Sequence, residues 1–343
     1  MSKPFRLGFL THVEGAGDPR RIYQDTLAWF TTADQLGFDV GWLAEHHFKM
    51  PNGRLPSLFP FIAVAGERTQ HIRLGTSIII LPVQQPLRVA EDAAVVDVLT
   101  GGRLELGLGS GGDPVEFQAF GVDLADRHHL TTSGVQLIQR ALRGERLNER
   151  GQVLQPPAPT LADRIWQSAL SVTGVQHLAR QGAGLLLSRA AWANNQPTDV
   201  AQVPVVQAYV EACRENGVPA RVGLSRGIYP AADKRTALAQ LREPVMRTAE
   251  AQIHAGNYPV GITFEECCAR MHIYYGHPDE IAAEISADKI LPYATDLILQ
   301  FNPATPPLDE ALRMLEQIAT QIAPALGWQP HAHQPLETVT STI

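Results

Sequence analysis

Two kinds of apolar pattern alternate along this chain. Short runs that are apolar at nearly every position give way to longer segments whose apolar residues recur at helical spacing. The short runs predict strands at 5–10, 40–44, 72–81, 103–109, 165–168, 184–188, 222–229 and 296–301. The longer segments predict helices at 22–36, 59–67, 89–99, 131–142, 172–181, 203–216, 234–255, 278–287 and 308–326. A run such as Ile78-Ile79-Ile80-Leu81 is apolar on both faces, as a strand covered by helices must be. Eight strands, each followed by helical sequence, with no all-α or all-β block, predict a (β/α)8 TIM barrel occupying 1–326 as a single domain. A doubly wound sheet is the alternative reading, and no solenoid repeat is present. Residues 189–203 and 252–275 lack clean periodicity and are expected to form insertions at the carboxyl face. The polar, proline-containing stretch 148–162 reads as a surface excursion. The tail 327–343, with Pro330, His331, His333 and Pro335, has no helical period and is expected to be mobile.

Composition narrows the chemistry. The chain has 343 residues and a net charge of -7, with no lysine-rich run, so nucleic acid is not an expected partner. Its three cysteines, Cys213, Cys267 and Cys268, form neither a disulfide framework nor a CxxC ligand pair, and no metal site is predicted. No apolar stretch is long enough to cross a bilayer, and the first residues run into a strand without a signal-peptide core. A soluble cytoplasmic protein is the expectation.

Four constellations fall at the carboxyl ends of predicted strands, where parallel α/β folds hold their ligands. In Glu45-His46-His47 an acid and two imidazoles stand where the second apolar run stops. Adjacent residues on a strand point to opposite faces, so at most one histidine is expected to face a site. In Gly107-Leu108-Gly109-Ser110-Gly111-Gly112-Asp113 the glycines permit close backbone approach and leave amides for an anion or a flat ring. A dinucleotide fingerprint does not fit, because the spacing differs and no helix is predicted directly after the glycines. A tight barrel corner explains the same letters. In Ser168-Ala169-Leu170-Ser171-Val172-Thr173-Gly174 a helix start offers N–H groups to a phosphate, although ordinary N-capping by Ser171 is equally compatible. Thr76-Ser77-Ile78 offers small residues against which a planar ligand could lie, or is simply strand interior.

In their order along the chain these features resemble the bacterial luciferase-like flavin monooxygenase family over most of 5–326. The resemblance is carried by Ala33-Asp34-Gln35-Leu36-Gly37-Phe38-Asp39 leading to Glu45-His46-His47-Phe48, and by Arg88-Val89-Ala90-Glu91-Asp92 through Asp97-Val98-Leu99-Thr100-Gly101-Gly102-Arg103 into the glycine loop. Gly276-His277-Pro278-Asp279-Glu280-Ile281 and Gln300-Phe301-Asn302-Pro303 complete it. It implies a barrel that binds reduced FMN at the carboxyl face and activates dioxygen. His46 matches the family's catalytic base, with Glu45 as a possible orienting acid. Ser77-Ile78 matches a non-proline cis peptide beneath the flavin, and Glu91 an acid on the flavin side. Leu170, Ser171 and Gly174 match the phosphate cradle, and Arg127 a phosphate-pairing arginine. Gly109 stands where luciferase has a reactive cysteine, and Ser110 where it has a second phosphate arginine. The segment His128-His129-Leu130-Thr131 lacks the acidic helix start of relatives.

The resemblance thus implies a monooxygenase acting on a small organic substrate, supplied with reduced FMN by a separate NAD(P)H-dependent flavin reductase. It also implies a homodimer, for which Ala63-Val64-Ala65-Gly66 is the local support. The alternatives are a deazaflavin-dependent oxidoreductase on the same barrel and a non-catalytic flavin-binding protein.

Overall fold

A computed structural model describes residues 5–48, 53–191 and 196–330. Eight parallel strands close a barrel: β1 (Arg6–Thr11), β2 (Val40–Leu43), β3 (Arg73–Thr76) with its short continuation β4 (Ile79–Ile80), β5 (Leu104–Gly109), β6 (Ile165–Ser168), β7 (Gly184–Leu186), β8 (Val222–Pro230) and β10 (Asp296–Gln300). β10 pairs with both β1 (Leu7 opposite Leu297) and β8 (Ser225 opposite Ile298), and this double pairing excludes the doubly wound sheet. The helices α1 (Pro19–Gln35), α2 (Leu58–Arg68), α3 (Pro86–Leu99), α5 (Arg127–Leu142), α6 (Val172–Arg180), α7 (Thr198–Glu215), α8 (Lys234–His254), α10 (Pro278–Ser286) and α11 (Leu308–Gln317) surround it.

The barrel interior decides which end is open. Trp42 and Trp166 meet edge to face at 5.6 Å and, with Leu10, Val40, Leu186 and Ile298, fill the middle. Below them, at the strand starts, Glu105 accepts from Arg6 (2.8 Å), Arg73 (2.6 Å) and the Trp166 indole (2.7 Å), while Arg6 also pairs with Asp296. Burial alone would raise the Glu105 carboxyl, but the two guanidiniums outweigh it and hold it below the usual carboxylate range. The amino end is thereby plugged with satisfied charge, and a cavity opens at the other end among Ser77, Ile78, Ser168 and Gln300.

Several expectations are corrected. The predicted strand 72–81 is two strands, broken at Ser77 and Ile78, which are joined by a cis peptide. A helix, α4 (Pro114–Phe120), does follow the glycine loop directly, with the Asp113 side chain accepting from Val115 N at its start. The segment 252–275 is not without regular structure: it holds α9 (Phe264–Met271) and most of β9 (Ile273–Gly276), a strand that pairs parallel with the last residues of β8, Gly227 to Pro230. The signal for α9 was in the letters, a Thr263-x-x-Glu266 capping box in which each side chain bonds the other's backbone N–H. α7 already begins at Thr198, within the expected insertion 189–203, of which 192–195 lie outside the described residues. The packed chain continues past 326 to Trp328, fully buried with its indole donating to Asp39 (2.8 Å); 331–343 lie outside the described residues. Among the described residues no helix is long and apolar enough to cross a membrane.

Candidate active site

β2 ends at Leu43, and the next residues divide their side chains between two environments. Glu45 is buried: its Oε2 accepts from Ile80 N (2.5 Å) and its Oε1 from Gln84 Nε2 (3.1 Å). This carboxylate ties the end of β2 to β4, so the expected Glu45–His46 pairing is not the bond it makes. Burial raises the Glu45 pKa to about 7, with the Ile80 amide working against the rise and Glu116 adding to it. His47 is also buried; its backbone N–H donates to Glu116 of α4 (3.0 Å), and its ring packs edge-on against Phe120. Between them His46 turns toward His12 at the barrel mouth.

There its Nε2 lies 2.8 Å from Nδ1 of His12, the residue just beyond β1. His12 Nε2 in turn lies 3.2 Å from Gln300 Oε1 at the end of β10, and Gln300 Nε2 donates to Ser225 Oγ on β8 (2.6 Å). Gly53, at φ +93°, lies against the other side of the arrangement. A Cβ there would fall 2.4 Å from the His46 ring, so any larger residue would displace the imidazole.

Two cavities meet at His12. One, of about 350 Å³, opens at the barrel mouth between Ser77 and Ile78 on one side and Leu170, Arg189, Ser225 and Gln300 on the other. The second, of about 190 Å³, lies between the loops after β1 and β10, with Trp29 and Phe301 as apolar wall and Glu14 as polar wall. Glu14 accepts from Asn302 Nδ2 at 2.6 Å, and burial pushes its pKa up to about 7 against the pull of Arg189. Burial likewise lowers Arg189 to about 10, opposed by Glu14 and Tyr258.

The remaining predicted residues divide by position. Gly109, the last residue of β5, faces Ile78 and Ser168: a Cβ there would lie 2.8 Å from Ile78 and 2.9 Å from Ser168 Oγ. Ser110, partly exposed, continues from it. Ser171 caps α6, its Oγ accepting from Gly174 N (3.1 Å), and Leu170 beside it is 73% exposed at the cavity rim. Arg127 opens α5, four residues before the predicted start, and its Nε donates to the His128 ring. α5 and α6 both descend from loops that follow β5 and β6, so both helix starts stand on the carboxyl face. Glu91 does not join them. It lies on the exposed side of α3, paired with Arg88.

The structure thus gathers His46, Ser77, Ile78, Gly109 and Leu170 about the barrel mouth and leaves Glu45 and Glu91 elsewhere. Sequence reading missed His12, Gln300, Glu14 and Arg189. The strand-end argument that singled out His46 applies equally to His12 after β1 and Gln300 at the end of β10. A flat ring with a phosphate tail fits what is present. The cavity is lined by Ile78 and, at its rim, by Leu170; Gly109 stands against Ile78 and Ser168 where a side chain would crowd them, and the α6 start beside Leu170 offers N–H donors.

Residues 5–297 match the model of the luciferase-like monooxygenases. Over 112 residues the chain is 42% identical to 4-hydroxyprotoasukamycin monooxygenase of Streptomyces nodosus subsp. asukaensis, covering 33% of this chain and 30% of that one. It is 25% identical to the F420-dependent glucose-6-phosphate dehydrogenase of Segniliparus rotundus, across 95% of this chain and 99% of the relative. The oxygenating constituent of 3,6-diketocamphane monooxygenase from Pseudomonas putida, solved with FMN, shares the fold with a TM-score of 0.76 at 18% identity, over 94% of this chain and 98% of that one. Matches to three curated relatives of 31–42% identity span only 30–50% of their length. The family match covers most of the chain and agrees with the closed barrel and its site-bearing face: the protein belongs to the luciferase-like monooxygenase family.

Proposed function

We propose that this protein is the oxygenase component of a two-component system. It uses reduced FMN and dioxygen to oxygenate a small organic substrate and receives the reduced flavin from a separate NAD(P)H-dependent reductase in the cytoplasm. The observation that carries the reading is the barrel-mouth cavity lined by His12, Ser77, Ile78, Ser168 and Leu170: His12 bonds His46, Gly109 packs against Ile78 and Ser168, and the α6 start stands at the rim. Leu170, Ser171, Gly174 and Arg127 would hold the phosphate, and Ser77, Ile78, Gly109 and Ser110 the ring system. When bound, the flavin supplies the electrons and the oxygen chemistry.

This chain's own residues do the rest. Of the two oxygen atoms, one enters the substrate and the other leaves as water, so protons must reach a site from which bulk water is largely excluded. His46, bonded to the His12 imidazole that lines the cavity, is the group proposed to hold or move them. Leu170 and Ile78 give the cavity apolar walls that limit water. Glu45, bound to Ile80 and Gln84, fixes the backbone from which His46 projects.

The second reading, a deazaflavin-dependent oxidoreductase, is favoured by the Segniliparus relative, which aligns along nearly the whole chain. One experiment separates them. The protein is titrated with FMN and with deazaflavin, and oxygen uptake is followed with photoreduced FMN and a panel of small organic substrates. Tight binding of FMN with substrate-dependent oxygen uptake supports the oxygenase. Selective deazaflavin binding with hydride transfer and no oxygen uptake replaces it. Binding of FMN without turnover of any substrate favours a flavin-binding role.

A further inference from the structure

Around the barrel, the consecutive strands β8 and β10 and the segments that follow β1 and β2 contribute one polar side chain each to an unbroken line: Ser225, Gln300, His12, His46. The two imidazoles are nearly parallel, 15° apart, with centroids 5.1 Å apart. That separation is too long for face-to-face contact of carbon atoms, which touch at about 3.5–4.0 Å. With the nitrogens only 2.8 Å apart, the rings meet edge to edge, joined by a bond lying close to both planes. One proton must occupy that N···N bond. Two would clash, and none would leave two lone pairs opposed.

The rest of the line fixes which ring owns it. Gln300 donates its amide nitrogen to Ser225 and turns its oxygen to His12, so the neutral His12 ring carries its hydrogen on Nε2. Its Nδ1 is then an acceptor, and His46 donates from Nε2, leaving Nδ1 as the basic nitrogen of His46. A further proton taken by either ring converts the bond to one held between an imidazolium and a neutral imidazole. A second additional proton would put two cations in contact with a donor facing a donor.

We propose that His12 is the positioning residue of His46: the two rings bind protons as one unit, and His12 sets the tautomer in which His46 works. The inference rests on His46 being the acid–base group of the proposed oxygenase only for its consequence; the coupling itself belongs to the protein without flavin. The charged and titratable groups around the pair are Glu45 and His47 beside His46, Glu14 and Asp25 in the wall of the side cavity, and Arg189 in the wall of the mouth cavity. Of these, Glu45 is turned to Ile80 and Gln84, and Glu14 is bound to Asn302.

The test is a titration of the whole protein carrying isotope-labelled histidine, followed by NMR, for the parent, His12→Asn, His46→Asn and His12→Phe. Asparagine keeps a hydrogen-bonding group near the position of Nδ1 but cannot take a proton. In the parent, the signals of His12 and His46 should each show the same two midpoints, separated by more than about one pH unit. In His12→Asn the His46 signal should collapse to a single step, and in His46→Asn the same should hold for His12. The coupling is reciprocal, so either asparagine variant serves if the other fails to fold. His12→Phe should also lose the single nitrogen tautomer of His46, which His12→Asn restores. Independent one-step curves in the parent, with a His46 midpoint unmoved in His12→Asn, would overturn the proposal. If the rings are coupled but His46→Asn leaves product formation intact, the coupling stands and the oxygenase role of His46 falls.

Discussion

Glu45 and His46 are neighbours in the chain and bond to different parts of the molecule, Glu45 to Ile80 and Gln84 and His46 to His12. Glu45 is a buried acid whose oxygens serve the Ile80 backbone and Gln84. Its pKa near 7, against 4.5 for an unperturbed carboxyl, means that the folded state holds this proton more tightly than the unfolded chain. For an acid raised in this way the stabilising contribution is complete below pH 4.5 and is lost as the pH climbs to about 7. Glu45→Gln keeps the shape and cannot ionise. Its stability relative to the parent should therefore rise by about 2–3 kcal/mol between pH 5 and 8. Denaturant unfolding at both pH values checks this, and a constant difference would mean that Glu45 is not raised. His46→Ala acts on function instead. Product formation should fall by roughly 10²–10⁴, with FMN affinity nearly unchanged and more oxygen released as hydrogen peroxide. Normal coupling in folded His46→Ala protein would remove the residue from the chemistry. At this scale the sequence showed which residue types stand at strand ends but not their partners. The His12–His46 bond joins residues 34 apart in the chain, and only barrel closure brings Gln300, 288 residues from His12, to the same line.

At the scale of elements, periodicity located every barrel strand, since buried parallel strands leave a continuous apolar run. It could not show that the run at 72–81 is broken at Ser77–Ile78, because the break changes the backbone and not the hydrophobic pattern. Short capped helices escaped for the opposite reason: α4 and α9 have seven and eight residues, about two turns each, too short a window for amphipathic spacing to stand out. The glycine at the end of β5 is the element feature with the most direct test. A methyl group at Gly109 would meet Ile78 at 2.8 Å and Ser168 at 2.9 Å, both side chains with some freedom to move. Gly109→Ala should then cost about 1–3 kcal/mol, as overpacking does. It should weaken FMN binding at least tenfold by narrowing the mouth; a flavin titration well below the melting transition separates the two effects. Arg127, at the start of α5, carries a parallel expectation. A charge-assisted phosphate contact is worth about 1.5–3 kcal/mol, so Arg127→Ala should weaken FMN binding tenfold to a hundredfold. Unchanged affinity would reassign the phosphate to other donors.

At the scale of the whole molecule, the order of elements was sufficient for the barrel, while surface pairing needed the structure. Ala65 and Gly66, part of the small-residue run expected to support a dimer, face inward, Ala65 fully buried and Gly66 against Thr100. On α3, Val95, Val98 and Leu99 are exposed by 45%, 59% and 58%, whereas the exposed Val64 of α2 lines a groove with Tyr23 and Phe61. Two valines and a leucine at 95, 98 and 99 fall on one face of α3 by helical spacing, and a two-fold axis would bury the same strip from both copies. A homodimer stays a proposal, and the exposed strip on α3 rather than the 63–66 run is the face proposed for it. Leu99→Lys places a charge where the copies would meet, far from the carboxyl-face cavity. It should raise the dimer dissociation constant at least tenfold, about 1.4 kcal/mol, with the fold and FMN affinity unchanged. Light scattering across a micromolar dilution series measures it for both proteins. A parent protein that is monomeric throughout the series would end the dimer proposal, and a Leu99→Lys dimer as tight as the parent would move the interface to another face.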